Sequence, residues 1–182
     1  MRSKISMIAA PVGLSPGGYV PKAYAERTAP KTPVAEFEAA KSGDVWQIRL
    51  RWACAEPHRE LGDDVDRFID AAAVLAPTVA DAPMMTMGAP GKALEGALWR
   101  ADRTGLIGVR AEGLGTVERG DAPEGWGAKA EWKAGRWSLD FELPGWSVLD
   151  ARRRLAFAIW QGAEGGRGGL KSVSPGWIEI GT

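Results

Sequence analysis

Residues with chemical reach are few in this chain. There is one histidine, His58, in the charged turn AEPHRE, and one cysteine, Cys54, closing an alternating apolar segment. A lone imidazole could act as a base or ligand and a lone thiol as a nucleophile, but neither has a partner motif at a useful spacing. The plain readings are an exposed loop histidine and a small buried hydrophobe. These counts also remove whole classes: an internal disulfide, a cysteine-built zinc or iron–sulfur site, a multi-histidine metal site and c-type haem attachment. A Ser-His-Asp triad would have to use His58.

Three further features carry some chemistry. Met84, Met85 and Met87 crowd ahead of Gly88. Their ordinary use is adaptable packing, and strand-like alternation would set Met85 and Met87 on one face and Met84 on the other. The run from Gly162 to Gly169 could offer backbone amides to a phosphate. Its spacing fits neither nucleotide fingerprint, so it reads as a flexible turn joining two strands. Lys171 follows in Lys-Ser-Val-Ser, where a lysine is ordinarily a solvated charge, as are Arg167 and Lys92. Nine Trp against two Tyr and four Phe suggest either a dense aromatic core or exposed faces that stack on sugars.

Short strands must position these residues. From Val45, Trp46, Ile48, Leu50 and Trp52 alternate with polar partners, as in a half-buried strand. Residues 54–66 read as a charged connection, and 68–75 as an apolar segment that suits a strand or a turn or two of helix. Further strands are expected over 93–99, 108–112, 129–133, 136–143, 154–160 and 176–180, with a hairpin turn near Gly135 and a helix over 147–154. The pattern predicts an all-β fold: an antiparallel β-sandwich over 44–182 with a few short helices. Residues 1–43, rich in Pro, Ala and Lys, show neither periodicity and read as an extended N-terminal arm.

The 182 residues carry 23 basic and 23 acidic side chains. Zero net charge argues against a nucleic-acid binder, and no apolar run is long enough for a membrane span. Pro11 and Gly13 interrupt the apolar patch that an export signal would need, so no signal of its own is expected.

Taken in order, IRLRWA (48–53), RFIDAAAVLAP (67–77), MTMGAPGKALEGALWRAD (85–102) and RLAFAIWQGAEGGRGGLKSVSPGWIEI (154–180) resemble the haem-carrying gamma subunits of the ethylbenzene dehydrogenase family. Its members include steroid C25, dimethylsulfide, selenate and chlorate enzymes. The resemblance implies one non-covalent haem b with methionine and lysine as axial ligands, which by position are Met87 and Lys171, with Met85 as the fallback. It implies no catalytic residue in this chain. The partners would be an iron–sulfur beta subunit and a molybdenum alpha subunit holding the molybdenum cofactor. Electrons would pass to an acceptor such as cytochrome c, and the arm of residues 1–43 would lie against the beta subunit. The branch it suggests is oxygen-independent hydroxylation of a hydrocarbon, with dimethylsulfide, selenate or chlorate chemistry as alternatives. The location implied is periplasmic, by export with a partner, or else cytoplasmic. The rival from another class is a haem-free carbohydrate-binding β-sandwich.

Overall fold

The alternating run at Val45 is a nine-residue strand in the computed structural model, whose described residues are 1–15, 17–61 and 67–181. Part of the connection expected over 54–66 therefore lies outside the described residues. In chain order the strands are β1 (Arg2–Ser6), β2 (Ile8–Ala9), β3 (Val34–Ser42), β4 (Val45–Ala53), β5 (Ala71–Pro77), β6 (Leu94–Arg100), β7 (Ile107–Ala111), β8 (Glu118–Asp121), β9 (Gly127–Lys133), β10 (Arg136–Pro144), β11 (Arg154–Trp160), β12 (Ser172–Val173) and β13 (Ile178–Glu179). Two short helices join them, α1 (Tyr19–Ala23) and α2 (Ser147–Arg152).

The strands form two antiparallel sheets. One has the order β1-β3-β4-β10-β9; the other runs β2-β12-β11-β5-β6-β7-β8, with β13 also paired to β11. Between them lies the main core. Strand β4 contributes Trp46, Ile48, Leu50 and Trp52, β10 adds Trp137, Leu139, Phe141 and Leu143, and β11 faces them with Leu155, Phe157 and Ile159. Trp99 and Trp137 meet edge to face at 4.9 Å, and Trp52 stacks on Trp137 at 6.3 Å. Such rings bury the largest apolar areas in a core, and truncating one to Ala typically costs about 3–5 kcal/mol.

Two expectations settle simply. The 68–75 segment is a strand, β5, with all seven residues buried. Both of its faces are covered, which is why its sequence is continuously apolar rather than alternating. The hairpin of β9 and β10 turns at Ala134 and Gly135, with φ of 49° and 75°, the pair of left-handed residues whose twist matches the flanking strands.

The reading of residues 1–43 as an arm is corrected. Strand β1 pairs with β3 and β3 with β4, while β2 pairs with β12, so this segment contributes strands to both sheets. Ile5, Met7, Ala35, Phe37 and Ala39 are core residues. The segment's longest stretch without a strand among the described residues lies between β2 and β3. No described helix is long and apolar enough to cross a membrane.

Candidate functional site

The second sheet has a second apolar face, turned away from the main core. On it Val173, Ala158, Ala73, Leu98 and Ile107 form one row across five strands, each opposite the next. The two alanines at the centre keep this floor low. Above it opens a cavity of about 270 Å³. The turn after β5 supplies Met84, Met85 and Met87. The segment between β7 and β8 supplies Leu114, Gly115 and Val117. Residues 10–15 and Gly168–Gly169 close the remaining sides.

Lys171 immediately precedes β12, and Lys171 and Val173 both line the cavity while the intervening Ser172 is buried away from it. The lysine backbone is held from both sides. Ala10 donates its N–H to the Lys171 carbonyl at 2.9 Å, and Thr32 donates to the Ser172 hydroxyl at 2.9 Å. Its amine stands 5.0 Å from the centre of the Trp160 ring and has no hydrogen-bond acceptor among the described residues. Burial, and secondarily repulsion from Arg119, push the amine from 10.5 down to about 8. Among the described residues the cavity lining contains no Asp or Glu that could restore the charge.

The methionine turn is not a strand. Gly88 donates to the Pro83 carbonyl and Met87 to the Met84 carbonyl, the paired bonds that close a helical turn with a left-handed residue. That residue is Met87, at φ 58°. Glycine is usual there, and a side chain at this conformation costs about 1–2 kcal/mol. The strain places the Met87 thioether in the cavity wall. Gly88 follows at φ 90°, where an added Cβ would lie 2.7 Å from the Lys92 carbonyl. The expected alternation of the three methionines therefore fails: Met84 also lines the cavity instead of pointing away.

The structure thus brings Met87, Met85 and Lys171 to one cavity, and adds Met84, Trp160 and Arg119, which sequence reasoning missed. Arg119 lies in a strand of four exposed residues that carries no apolar period to reveal it. What the cavity offers is thioethers, one amine readily made neutral, and an apolar floor. Methionine sulfur and neutral amine nitrogen are donors for a soft or borderline metal, and the apolar walls suit a large flat apolar group. No cluster of three His, Cys, Asp or Glu that could hold a metal occurs among the described residues.

Other expectations change here. His58 is not an exposed loop residue; its side chain is 12% exposed, beside Glu56 and Arg67. Arg167 is not a solvated charge, since it packs over Phe68 at 4.5 Å and donates to the Tyr24 hydroxyl at 2.8 Å. Lys92 pairs with Asp81. The glycine run is an ordered turn that begins with Gly162 donating to the Asp70 carboxylate at 2.7 Å. Asp70 is fully buried and also accepts from the His58 N–H and Trp137 Nε1, both at 2.9 Å. The Cys54 thiol beside it is pushed up to about 12 by burial and by the Asp70 charge, which suits an inert buried thiol. Five of the nine Trp are buried, and Trp126, Trp132, Trp160 and Trp177 are half-buried, so most of the aromatic excess serves packing.

No protein-family model matches the chain. It is 28% identical over 158 residues to the gamma subunit of dimethylsulfide dehydrogenase from Rhodovulum sulfidophilum, covering 78% of this chain and 57% of that one. It is 30% identical over 147 residues to a chain of Haloferax mediterranei named as a respiratory nitrate reductase heme subunit, covering 75% and 52%. Among solved structures, a family 9 carbohydrate-binding module from Caldicellulosiruptor kristjanssonii in complex with glucose overlaps with a TM-score of 0.43 at 7% identity, covering 80% of this chain and 68% of that one. The chain spans about half the length of the curated relatives it matches, and over about three quarters of its own residues it is similar to subunits of two redox-enzyme complexes, one of them named for a heme.

Proposed function

We propose that this chain is a haem-carrying electron-transfer subunit of a molybdenum oxidoreductase complex, with a non-covalent haem b in the cavity on the outer face of the second sheet. The observation that carries the reading is Lys171: a lysine amine with no hydrogen-bond acceptor and no lining carboxylate among the described residues, in an apolar cavity whose wall holds three methionines. Two relatives named as subunits of dehydrogenase and reductase complexes, one as a heme subunit, support it.

The fit is specific to the donor set. Lys171 must lose its proton to bind iron, and burial makes that loss easier by lowering the amine to about 8. Met87 is held in a left-handed backbone conformation and lines the cavity, with Met85 as the fallback. Trp160 is fixed by its Nε1 donating to the Gly168 carbonyl at 3.0 Å, so it backs the lysine without shifting. A haem with a thioether ligand supplies one-electron transfer at a raised potential. With Met87 and Lys171 on its two faces, the iron would offer no open position, and substrate chemistry would belong to partner subunits. Those partners would be an iron–sulfur beta subunit and a molybdenum alpha subunit, with a soluble acceptor such as cytochrome c, in the periplasm. Hydrocarbon hydroxylation is the substrate class suggested by the motifs; the similarity to a dimethylsulfide dehydrogenase subunit makes sulfide oxidation the second reading.

A reduced-minus-oxidised absorption spectrum of the purified chain tests the reading. Bands of a six-coordinate b-type haem are expected, and their absence from chain loaded with hemin would sink it. Lys171→Ala and Met87→Ala should each shift the bands. Wild-type spectra from both would overturn the ligand assignment alone.

A further inference from the structure

The cavity is one-sided in charge. Among the described residues its lining holds two cations, Lys171 and Arg119, and no carboxylate. Lys171 lies among apolar side chains, whereas Arg119 is exposed on β8, at the outer edge of the sheet. Arg119 pairs across the ladder with Val109, a floor residue, so its side chain shares the cavity face. Neighbouring arginines are engaged: Arg110 with Glu112, Arg100 with Asp102, Arg154 with Glu179. Arg119 has no hydrogen-bond or ion-pair partner among the described residues, although Glu118 and Asp121 are close in sequence. Two like charges facing one apolar cavity repel each other, and that cost stands until an anion arrives.

We propose that Arg119 is the anion anchor of this cavity, pairing with a carboxylate at the rim of a ligand whose apolar body lies over the alanine floor. The proposal rests on the haem reading, in which the carboxylates are the two propionates. The guanidinium fork matches a carboxylate in two parallel hydrogen bonds, and a rim position keeps both charges partly hydrated. The anchor would also fix which edge of an otherwise near-symmetric macrocycle faces outward.

The test uses the full chain, wild type and Arg119→Ala, titrated with hemin and with hemin dimethyl ester, whose carboxylates are masked. For hemin, Arg119→Ala should bind about 3–10-fold more weakly, as expected for one partly exposed charge-assisted pair. Its bound spectrum should match wild type, because the axial ligands are untouched. For the ester, the two proteins should bind equally. Arg119→Lys should recover part of the hemin affinity. Equal hemin affinity in wild type and Arg119→Ala overturns the proposal while leaving the haem reading intact. An equal loss for hemin and ester also overturns it, by showing a general packing effect. Failure of the wild-type chain to take up either porphyrin overturns the haem reading and this proposal with it.

Discussion

The Lys171 amine stands 5.0 Å from the centre of the Trp160 ring, and nothing nearby neutralises its charge. A ring face eases a cation by about 0.5–2 kcal/mol, less than the loss of water costs. The pair therefore holds the lysine in place without securing its proton.

From this follows a pH dependence. The folded chain releases the Lys171 proton near 8, the unfolded chain near 10.5. Between those values the unfolded state binds more protons through Lys171, so this group makes the ligand-free chain more stable as pH rises, until above about 9 the buried Cys54 thiol, raised from 9.0 to about 12 in the folded chain, acts in the opposite sense. Below about 8 both states hold the proton and this slope vanishes. Urea unfolding midpoints measured from neutral pH to about 10.5 check it. Lys171→Met should lose the rise between about 8 and 9 and be the more stable protein at neutral pH; a wild-type profile that runs parallel to that of Lys171→Met would refute the placement of the amine.

Met87 and Gly88 should respond in opposite ways. Met87→Gly relieves the left-handed backbone, so stability should change by less than about 1 kcal/mol while the bound-haem spectrum is lost or altered. Gly88→Ala forces a Cβ to 2.7 Å from the Lys92 carbonyl and should cost about 2–4 kcal/mol. Thermal melts of the two ligand-free variants make the comparison, and similar losses would contradict the role given to the turn.

The Asp70 network should be the most sensitive polar cluster in the core. Trp137 donates to Asp70, whereas the buried Trp52 Nε1 has no partner. Trp137→Phe and Trp52→Phe remove similar volumes, so their difference isolates the hydrogen bond. Trp137→Phe should be the worse by about 1–3 kcal/mol, because it takes a donor from a buried carboxylate. Chemical denaturation of both variants provides the measurement.

Cys54 should be silent. With its thiol pushed up to about 12 and buried, iodoacetamide at mildly alkaline pH should leave the folded chain unmodified and label it at once in denaturant. Fast labelling of the folded chain, read by mass spectrometry, would mean that the β4 terminus opens readily.

Strand β4 and the β9–β10 hairpin were legible because alternation and a two-residue turn are local signals. Strand β5 was half legible, since burial on both faces erases the period that separates strand from helix. Strand β3 was missed although Ala35, Phe37 and Ala39 alternate, because two of the three inward residues are alanines and the surroundings are Pro-rich. At the site, Met87 and Lys171 were picked out through the family resemblance, and the structure places both on one cavity. The left-handed φ of Met87 and the solitude of Arg119 depend on what the chain folds against. Asp70 was invisible for the same reason: a single aspartate in sequence says nothing of the three N–H groups that converge on it.

Strands far apart in the sequence meet. Strand β2 pairs with β12, and Ala10 and Thr32 bond to Lys171 and Ser172 across most of the sequence. A nascent chain leaves the ribosome N-terminus first, so these contacts wait until the segment that holds Lys171 and Ser172 has been synthesised. The lysine side of the cavity is therefore assembled later than the hairpins of the sheets, and a group seated against the lysine can be held only after β12 has joined β2.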